Sequence, residues 1–301
     1  MSFHFRVLIT GGSGLLGQFL NKELAKRFDI LTTFNTHKGN CEKFNSVKID
    51  LTNFDLLTQL IGSFKPNVVV HAAAISNPSA AMQLPTKDVF SINVKVPELL
   101  AKLCEKHSAK LIYLSTDLVY AGYRGSMLKE DAKLIPVSLY AETKLLGEVK
   151  IKNIFEDYII LRTALLYGIS GTHTVNHFHG MYNRLKKGIS ISLFIDQYRT
   201  PLALHDAARI IREIIQKDLK SEMLNFGGLE RVSRFELGEI LCRTANLDEN
   251  LLKKISLNDL PNYPAVADVS MNTDKLQSYG IKQQRIEEAV TFILKYTLGK
   301  S

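Results

Sequence analysis

Ile9-Thr10-Gly11-Gly12-Ser13-Gly14-Leu15-Leu16-Gly17 decides how this chain is read. The apolar run Arg6–Thr10 leads into glycines spaced G-x-x-G-x-x-G, and a segment with helical spacing, Leu15–Phe28, leads out. Gly11, Gly14 and Gly17 each have a physical task in such a turn: a tight bend, close approach of backbone to a pyrophosphate, and close packing of helix on strand. The helix start then offers unpaired N–H groups and a positive dipole end to phosphates. Ser13, Leu15 and Leu16 lie in the same turn and are read with the glycines as dinucleotide-binding positions. The same glycines would also serve a bare strand-to-helix turn, so their context carries the reading.

That context alternates two periods. Short apolar runs recur at Ile30–Phe34, Val47–Ile49, Val68–His71, Leu111–Ser115 and Tyr158–Arg162. Between them lie segments of helical spacing: Leu56–Phe64, Val94–Lys106 and Ala141–Asn153. Strand–helix alternation predicts βαβ units and a parallel sheet, and right-handed crossovers make it an α/β doubly wound, Rossmann-type fold. After Tyr167 the rhythm weakens. Gly168–Gly180 reads as a loop, and helices are expected at His205–Lys217, Arg234–Ala245 and Arg285–Tyr296, with a strand at Met223–Phe226. Ser233 and Glu236 read as a capping box. The expected organisation is a dinucleotide-binding domain over 1–167, with later segments returning to it, and a smaller, mainly substrate-binding lobe over 168–301.

Composition bounds the function. With 46% hydrophobic residues the 301-residue chain has material for a sizeable core. The formal charge is +8, but no run of five like charges appears, so the basic residues read as solvated faces rather than a nucleic-acid or membrane surface. Cys41, Cys104 and Cys242 are odd in number and widely spaced, which suggests neither disulfides nor zinc and fits a reducing compartment. The chain enters a strand pattern by Arg6 with no secretory segment before it, and no apolar run approaches the roughly 20 residues that span a bilayer. A cytoplasmic protein without nucleic-acid or membrane partners is expected.

The fingerprint usually carries an acidic residue about 20 positions on, for the ribose 2′-hydroxyl. Here the second strand ends in Phe34-Asn35-Thr36-His37-Lys38, without a carboxylate. His37 or Lys38 can meet a 2′-phosphate instead, with Asn35 a further cofactor-binding position, which favours NADP over NAD, although Lys38 also reads as an ordinary loop lysine. Asp50 and Leu51, just past the third strand, are placed beside an adenine ring. Capping of the next helix by Asp50 or Thr52 is the plainer reading, and both can hold.

Tyr140 and Lys144 form Y-x-x-x-K, four residues apart on one face of a predicted helix. An ammonium near a phenol stabilises phenolate, so Lys144 is expected to lower the Tyr140 pKa and make it usable in proton transfer. The pair follows one unit after Leu111-Ile112-Tyr113-Leu114-Ser115-Thr116-Asp117, and strand C-terminal ends are where doubly wound folds place chemistry. Thr116 there can hydrogen-bond a substrate carbonyl. Turn chemistry at a strand end is the alternative for Thr116 and Asp117.

Together the glycine turn, Leu114-Ser115-Thr116-Asp117-Leu118-Val119-Tyr120 and Tyr140-Ala141-Glu142-Thr143-Lys144 resemble, in order and spacing, the extended short-chain dehydrogenase/reductase family. Val70-His71-Ala72-Ala73-Ala74 looks like the family's fourth strand, and Leu161-Arg162-Thr163 with Leu166-Tyr167-Gly168 like the strand after its catalytic helix. Within the family the chain looks most like the dTDP-4-dehydrorhamnose reductases, and it is similar to the regulatory β subunit of methionine adenosyltransferase. Asp196-Gln197 with Thr200-Pro201, and Asp274-Lys275-Leu276, resemble two late segments of those reductases.

The resemblance implies NADPH-dependent reduction of a keto sugar, nucleotide-linked. Tyr140 would protonate the carbonyl oxygen, Lys144 would tune Tyr140 and hold the nicotinamide ribose, and Thr116 would bind the reacting oxygen. Ala72, Ala73, Ala74, Asn93 and Ser115 would line the cofactor groove. Thr116, Asp117, Tyr120, Gln197 and Arg199 would face the substrate. Relatives are often dimers, so a homodimer is compatible.

Two departures matter. The reductases carry Arg-Pro where this chain has Tyr263-Pro264-Ala265, which puts a diphosphate ligand in doubt unless Arg199 or Arg231 substitutes. Leu118 stands where sugar-nucleotide dehydratases have an acidic residue, which argues against dehydration. A catalytically silent, cofactor-binding regulatory subunit and a nucleotide-sugar epimerase are the alternatives. His173, His177 and His179 share a polar segment but lack partners at ligand spacing, so no metal site is expected.

Overall fold

Why these residues form a parallel sheet is visible in their burial. Val68–His71 is buried at every position, and Lys110–Thr116 at all but its first. Strands covered on both faces read as continuous apolar runs, and helices must cover them. The computed structural model describes residues 5–76, 78–171, 173–260 and 266–298. Tyr263, Pro264 and Ala265 lie outside the described residues.

The strands are β1 (Arg6–Thr10), β2 (Asp29–Phe34), β3 (Ser46–Lys48), β4 (Val68–His71), β5 (Lys110–Thr116), β6 (Tyr158–Thr163) and β7 (Glu222–Phe226). They form a 7-stranded sheet in the order 3-2-1-4-5-6-7. The pairings of β1 with β2 and β4, of β2 with β3, and of β4 with β5 are parallel. The order reverses between β1 and β4, the switch point where doubly wound sheets open a ligand crevice.

The principal helices are α1 (Gly17–Leu24), α2 (Phe54–Phe64), α3 (Val96–His107), α4 (Leu139–Lys152) and α5 (Leu204–Ile215). Leu57 and Ile61 of α2, Val96, Leu100 and Cys104 of α3, and Ile151 of α4 pack with Leu8, Val69, Leu111 and Tyr113 of the sheet in one buried cluster. Asn53 caps α2, its Oδ1 accepting from Leu56 N at 3.1 Å. The cap is therefore neither Asp50 nor Thr52. Asp50 Oδ1 instead accepts from Thr52 N at 2.9 Å and from Thr52 Oγ1 at 2.7 Å, a local turn. The first helix starts at Gly17 rather than Leu15, with Leu16 already in helical geometry at its start.

Two compact units divide the chain. The first comprises 1–119, 135–162 and 208–224, and the second 120–134, 163–207 and 225–301. Segment 120–134 thus joins the second unit ahead of residue 168, and 208–224 belongs to the first. In the second unit, Phe178, Met181, Leu237, Leu241, Val290 and Ile293 belong to one buried cluster. Its helix Arg234–Ala245 carries the expected capping box. Ser233 Oγ accepts from Glu236 N at 3.1 Å, and Glu236 Oε2 accepts from Ser233 N at 2.6 Å. The expected loop Gly168–Gly180 gives way to a helix, His177–Lys186. Asn176 starts it: its Oδ1 accepts from His179 N at 2.9 Å while its Nδ2 holds the Gly168 carbonyl at 2.8 Å. Among the described residues no helix is long and apolar enough to cross a membrane.

One buried ion pair ties α4 to the sheet. Arg162 on β6 is 1% exposed and Glu148 on α4 2%, at 2.9 Å from Nη2 to Oε2. Arg162 Nε and Ser115 Oγ also donate to Glu148 Oε1, at 3.2 and 2.5 Å. Removing one partner of such a pair leaves a buried charge uncompensated. Arg162→Met should therefore lower the unfolding free energy by about 3–5 kcal/mol in urea titrations. A loss below about 1 kcal/mol would contradict this account.

Candidate active site

The glycine turn is built on backbone contacts. Gly11 has φ +71, and a Cβ there would stand 2.7 Å from Ala73 Cα and N. The turn from β1 therefore lies directly against the chain leaving β4, and only glycine fits. A Cβ on Gly17 would meet Gly12 Cα at 2.7 Å, so this glycine lets α1 close onto the turn. Gly14 differs. Its Cβ would meet only the Gly11 carbonyl oxygen, at 3.1 Å. The protein interior demands little there, whereas close approach of an outside group would.

Beneath the turn lies a buried amide network that the sequence reading missed. Asn21 Nδ2 donates to the Gly12 carbonyl at 3.0 Å and to Asn40 Oδ1 at 2.8 Å. Asn40 Nδ2 donates to the Gln18 carbonyl at 2.8 Å, and Gln18 Nε2 to the Ser13 carbonyl at 3.1 Å. These bonds fix the turn and leave the start of α1 without a side-chain cap and without an acidic residue in its first turn. Such a helix end is suited to an anion. Gly39 lies against Ser13, with a would-be Cβ 3.1 Å from Ser13 Cα. Asn35, His37 and Lys38, just before Gly39, are exposed. Asp50 is exposed and Leu51 buried past β3.

Ala72, Ala73 and Ala74 follow β4 and are partly exposed. Ala72 N donates to the Thr10 carbonyl at 3.2 Å. Asn93 uses its amide on the scaffold: Oδ1 accepts from Ile75 N at 3.1 Å, and Nδ2 reaches the Ile75 carbonyl at 3.2 Å and Thr143 Oγ1 at 3.1 Å. It pins the wall after β4 to α4. The Ser115 hydroxyl is directed to Glu148.

Tyr140, Thr116 and Asp117 come together. Thr116 stands close enough to the Tyr140 phenol to act on its proton equilibrium. Thr116 Oγ1 donates to Asp117 Oδ1 at 3.2 Å and accepts from Leu118 N at 3.3 Å. Leu118 and Leu139 pack with Tyr140, Ala81 and Val89 in a small apolar cluster. Burial pushes the Tyr140 phenol up to about 12; Thr116 opposes this and Asp117 adds to it. This reverses the expected lowering by Lys144. The lysine lies elsewhere on the shared helix face, with Nζ 4.1 Å from the Tyr113 ring centroid. Burial drives Lys144 down to about 7 against the pull of Glu148. Tyr140, Lys144 and Glu148 stand at i, i+4 and i+8, so Glu148 was legible as a third member of the stripe.

In the second unit, the polar residues expected to face a substrate have partners within that unit. Tyr120 Oη donates to Asn225 Oδ1 at 2.7 Å. Gln197 Oε1 accepts from Arg234 Nε at 3.0 Å. Arg199 donates to the carbonyls of Tyr198, Ala267 and Val266 at 2.6, 3.3 and 3.1 Å. Arg231 pairs with Asp268 at 2.7 Å and lies 3.6 Å over the Tyr198 ring. Both arginines are thus engaged in holding the chain at 266–268. His179 Nδ1 lies 3.1 Å from Ser170 Oγ, and burial lowers His177 to about 4. Among the described residues no group of three or more His, Cys, Asp or Glu is arranged to hold a metal ion.

Residues 5–298 match the RmlD substrate binding domain. A dTDP-4-dehydrorhamnose reductase of Aggregatibacter actinomycetemcomitans is 29% identical over 312 aligned residues, covering 97% of this chain and 99% of that protein. The methionine adenosyltransferase 2 subunit beta of Rattus norvegicus is 28% identical, covering 93% of this chain and 84% of that protein. The crystal structure of dTDP-4-dehydrorhamnose reductase from Bacillus anthracis str. Ames, in complex with NADP, superposes with a TM-score of 0.83 at 26% identity, covering 97% of this chain and 99% of that one.

The two glycine environments make a prediction about folding alone. Gly11→Ala should destabilise by about 1–3 kcal/mol, because it forces a side chain into positive φ against backbone. Gly14→Ala should stay within about 0.5 kcal/mol of wild type. Equal losses in urea titration would sink the distinction.

Proposed function

The chain belongs to the RmlD substrate binding domain family, within the extended short-chain dehydrogenase/reductases, and on that premise we propose that it is an NADPH-dependent reductase of a nucleotide-linked keto sugar. The observation that carries this reading is the junction of Tyr140, Thr116 and Asp117 at the end of β5, with Lys144 one helical turn on. The first unit would bind the dinucleotide and the second contribute substrate contacts.

The residues present fit a dinucleotide. The uncapped start of α1, the open side of Gly14 and the partly exposed alanines after β4 would hold its pyrophosphate and line its groove. Asn35, His37 and Lys38 would meet a 2′-phosphate, and the NADP in the Bacillus anthracis relative supports that choice. NAD is the competing cofactor. When bound, the nicotinamide supplies hydride to the substrate carbonyl.

The chain's own groups supply alignment and a proton. Tyr140 is held in its protonated form at neutral pH, so it enters reduction as an acid. Its O–H and the Thr116 hydroxyl share one junction and would converge on one carbonyl oxygen. Without substrate Asp117 accepts the one Thr116 hydrogen, which would turn to the carbonyl oxygen when substrate binds. Lys144 would hold the nicotinamide ribose. Tyr120, Gln197 and Arg199 would act on the substrate through the loops they hold.

A second reading has specific support. The subunit-beta relative matches at nearly the same identity as the reductase, and Tyr263-Pro264-Ala265 lacks the arginine expected for a diphosphate. A silent, cofactor-binding regulatory subunit would fit both observations.

NADPH oxidation measured with a panel of 4-keto nucleotide sugars separates the readings. Turnover is expected with at least one, and Tyr140→Phe should lower kcat by about 100-fold or more. No turnover with any sugar, or an unaffected Tyr140→Phe, would overturn the reductase. Cofactor choice is tested by titration: NADPH should bind more tightly than NADH, and Lys38→Glu should narrow the gap by about tenfold. Tighter NADH binding would refute the NADP assignment.

A further inference from the structure

Lys38, Gly39, Asn40 and Cys41 form a tight turn after β2. Cys41 N donates to the Lys38 carbonyl at 3.0 Å, and Gly39 takes φ +55. Lys38 at the start of this turn is exposed, whereas Asn40 is only 6% exposed. Gly39 packs on the glycine turn, where a would-be Cβ stands 3.1 Å from Ser13 Cα and 3.2 Å from Ser13 Cβ. The two turns are therefore in contact at Gly39 and Ser13, and the Asn40 side chain lies buried beneath that contact.

Counting hydrogens fixes the amides that join them. Main-chain carbonyls only accept. The Gln18 carbonyl, 2.8 Å from Asn40 Nδ2, must therefore meet the Asn40 NH2 group, which turns Asn40 Oδ1 to Asn21. The Gly12 carbonyl likewise meets the Asn21 NH2 group, at 3.0 Å. One hydrogen of Asn21 Nδ2 thus goes to the glycine turn and the other to Asn40 Oδ1, at 2.8 Å. This orientation leaves Asn21 Oδ1 buried with no hydrogen-bond partner among the described residues. A buried amide oxygen without a donor costs stability. The amide of Asn21 bridges the two turns at the expense of its own oxygen.

We propose that Asn40 is a positioning residue for cofactor choice: bridged by Asn21 to the glycine turn, it holds the Lys38 turn where Lys38 meets the ribose 2′-phosphate of a dinucleotide whose pyrophosphate lies on the glycine turn. The proposal rests on the NADPH reading of the cofactor. A lysine is a point charge on a flexible stem, so the backbone beneath it must supply its position. Two grips on one ligand help each other only while their spacing is kept, which is the task of the buried groups behind them. Here that spacing is set by the Asn21–Asn40 bond and by Gly39 on Ser13. Asn40 acts through Lys38 and not on the cofactor itself.

The test measures dissociation constants of NADPH and NADH by titration for the full chain, Asn40→Ala, Lys38→Ala and the double variant. Asn40→Ala should weaken NADPH about fivefold or more and leave NADH within about twofold, because NADH lacks the group that Lys38 meets. In the Lys38→Ala background, Asn40→Ala should leave the ratio of the two constants unchanged. A merely structural Asn40 would weaken both cofactors alike. That outcome, or an equal fall of the ratio in both backgrounds, would overturn the proposal. Asn21→Ala removes the bridge from its other end and should shift the ratio in the same direction; it stands in should Asn40→Ala not fold. Failure of both variants to fold would assign the pair to the fold alone and overturn the positioning role. A wild-type chain that binds NADH more tightly removes the NADPH reading and this proposal with it. A wild-type preference for NADPH that survives in Asn40→Ala removes the proposal alone.

Discussion

The backbone of Gly11 lies against the backbone of Ala73 with no room for a side-chain carbon between them. Everything at the candidate site follows from that approach. It closes the ends of two adjacent parallel strands at the point where the sheet reverses its order. It also fixes the start of α1 beside the chain leaving β4. A methyl group would push these segments apart and strain a positive φ at once. The amide network of Gln18, Asn21 and Asn40 then holds the turn from below, by bonds to main-chain carbonyls. The turn is thus preorganised by its own protein, and Gly14 alone among its three spaced glycines is left with an open side.

On the other side of the switch point the constraint is electrostatic. The face of the sheet under α4 encloses two basic side chains, Lys144 and Arg162, and one carboxylate, Glu148. Arg162 takes the carboxylate in a two-point contact, and Ser115 completes it. Lys144 is left with the weaker company of an aromatic face, and its charge is disfavoured by burial. Tyr140, one turn away, is kept protonated by the same dryness. Burial acts in opposite directions on an acid and a base, and here it brings both toward their neutral forms.

Much of this was legible beforehand. The periodicity of the apolar runs located β1 and β4 to the residue and the other strands of the sheet to within a residue or two, because strands buried on both faces cannot hide their composition. Most of the principal helices were found with looser ends, since caps decide ends, and the helix His177–Lys186 was missed: Asn53 and Asn176 are each one polar residue among several. The capping box at Ser233 was readable because both halves of it are local. The glycines and the Y-x-x-x-K pair were readable for the same reason.

What escaped was every partner distant in sequence. Glu148 meets Arg162 and Ser115, Asn21 meets Asn40, Tyr120 meets Asn225, and Arg199 meets the carbonyls at 266 and 267. The expected lowering of the Tyr140 pKa failed on the same ground. It used the four-residue spacing to Lys144, which is local, and could not include burial or Thr116, which are not. The sequence by itself determined a doubly wound fold, a glycine-built strand-to-helix turn and which side chains share a helix face, because those are set by short-range steric and periodic rules. Only the tertiary structure decided which polar groups are already engaged and which way each proton equilibrium leans, because desolvation and hydrogen-bond partnership are properties of the folded interior.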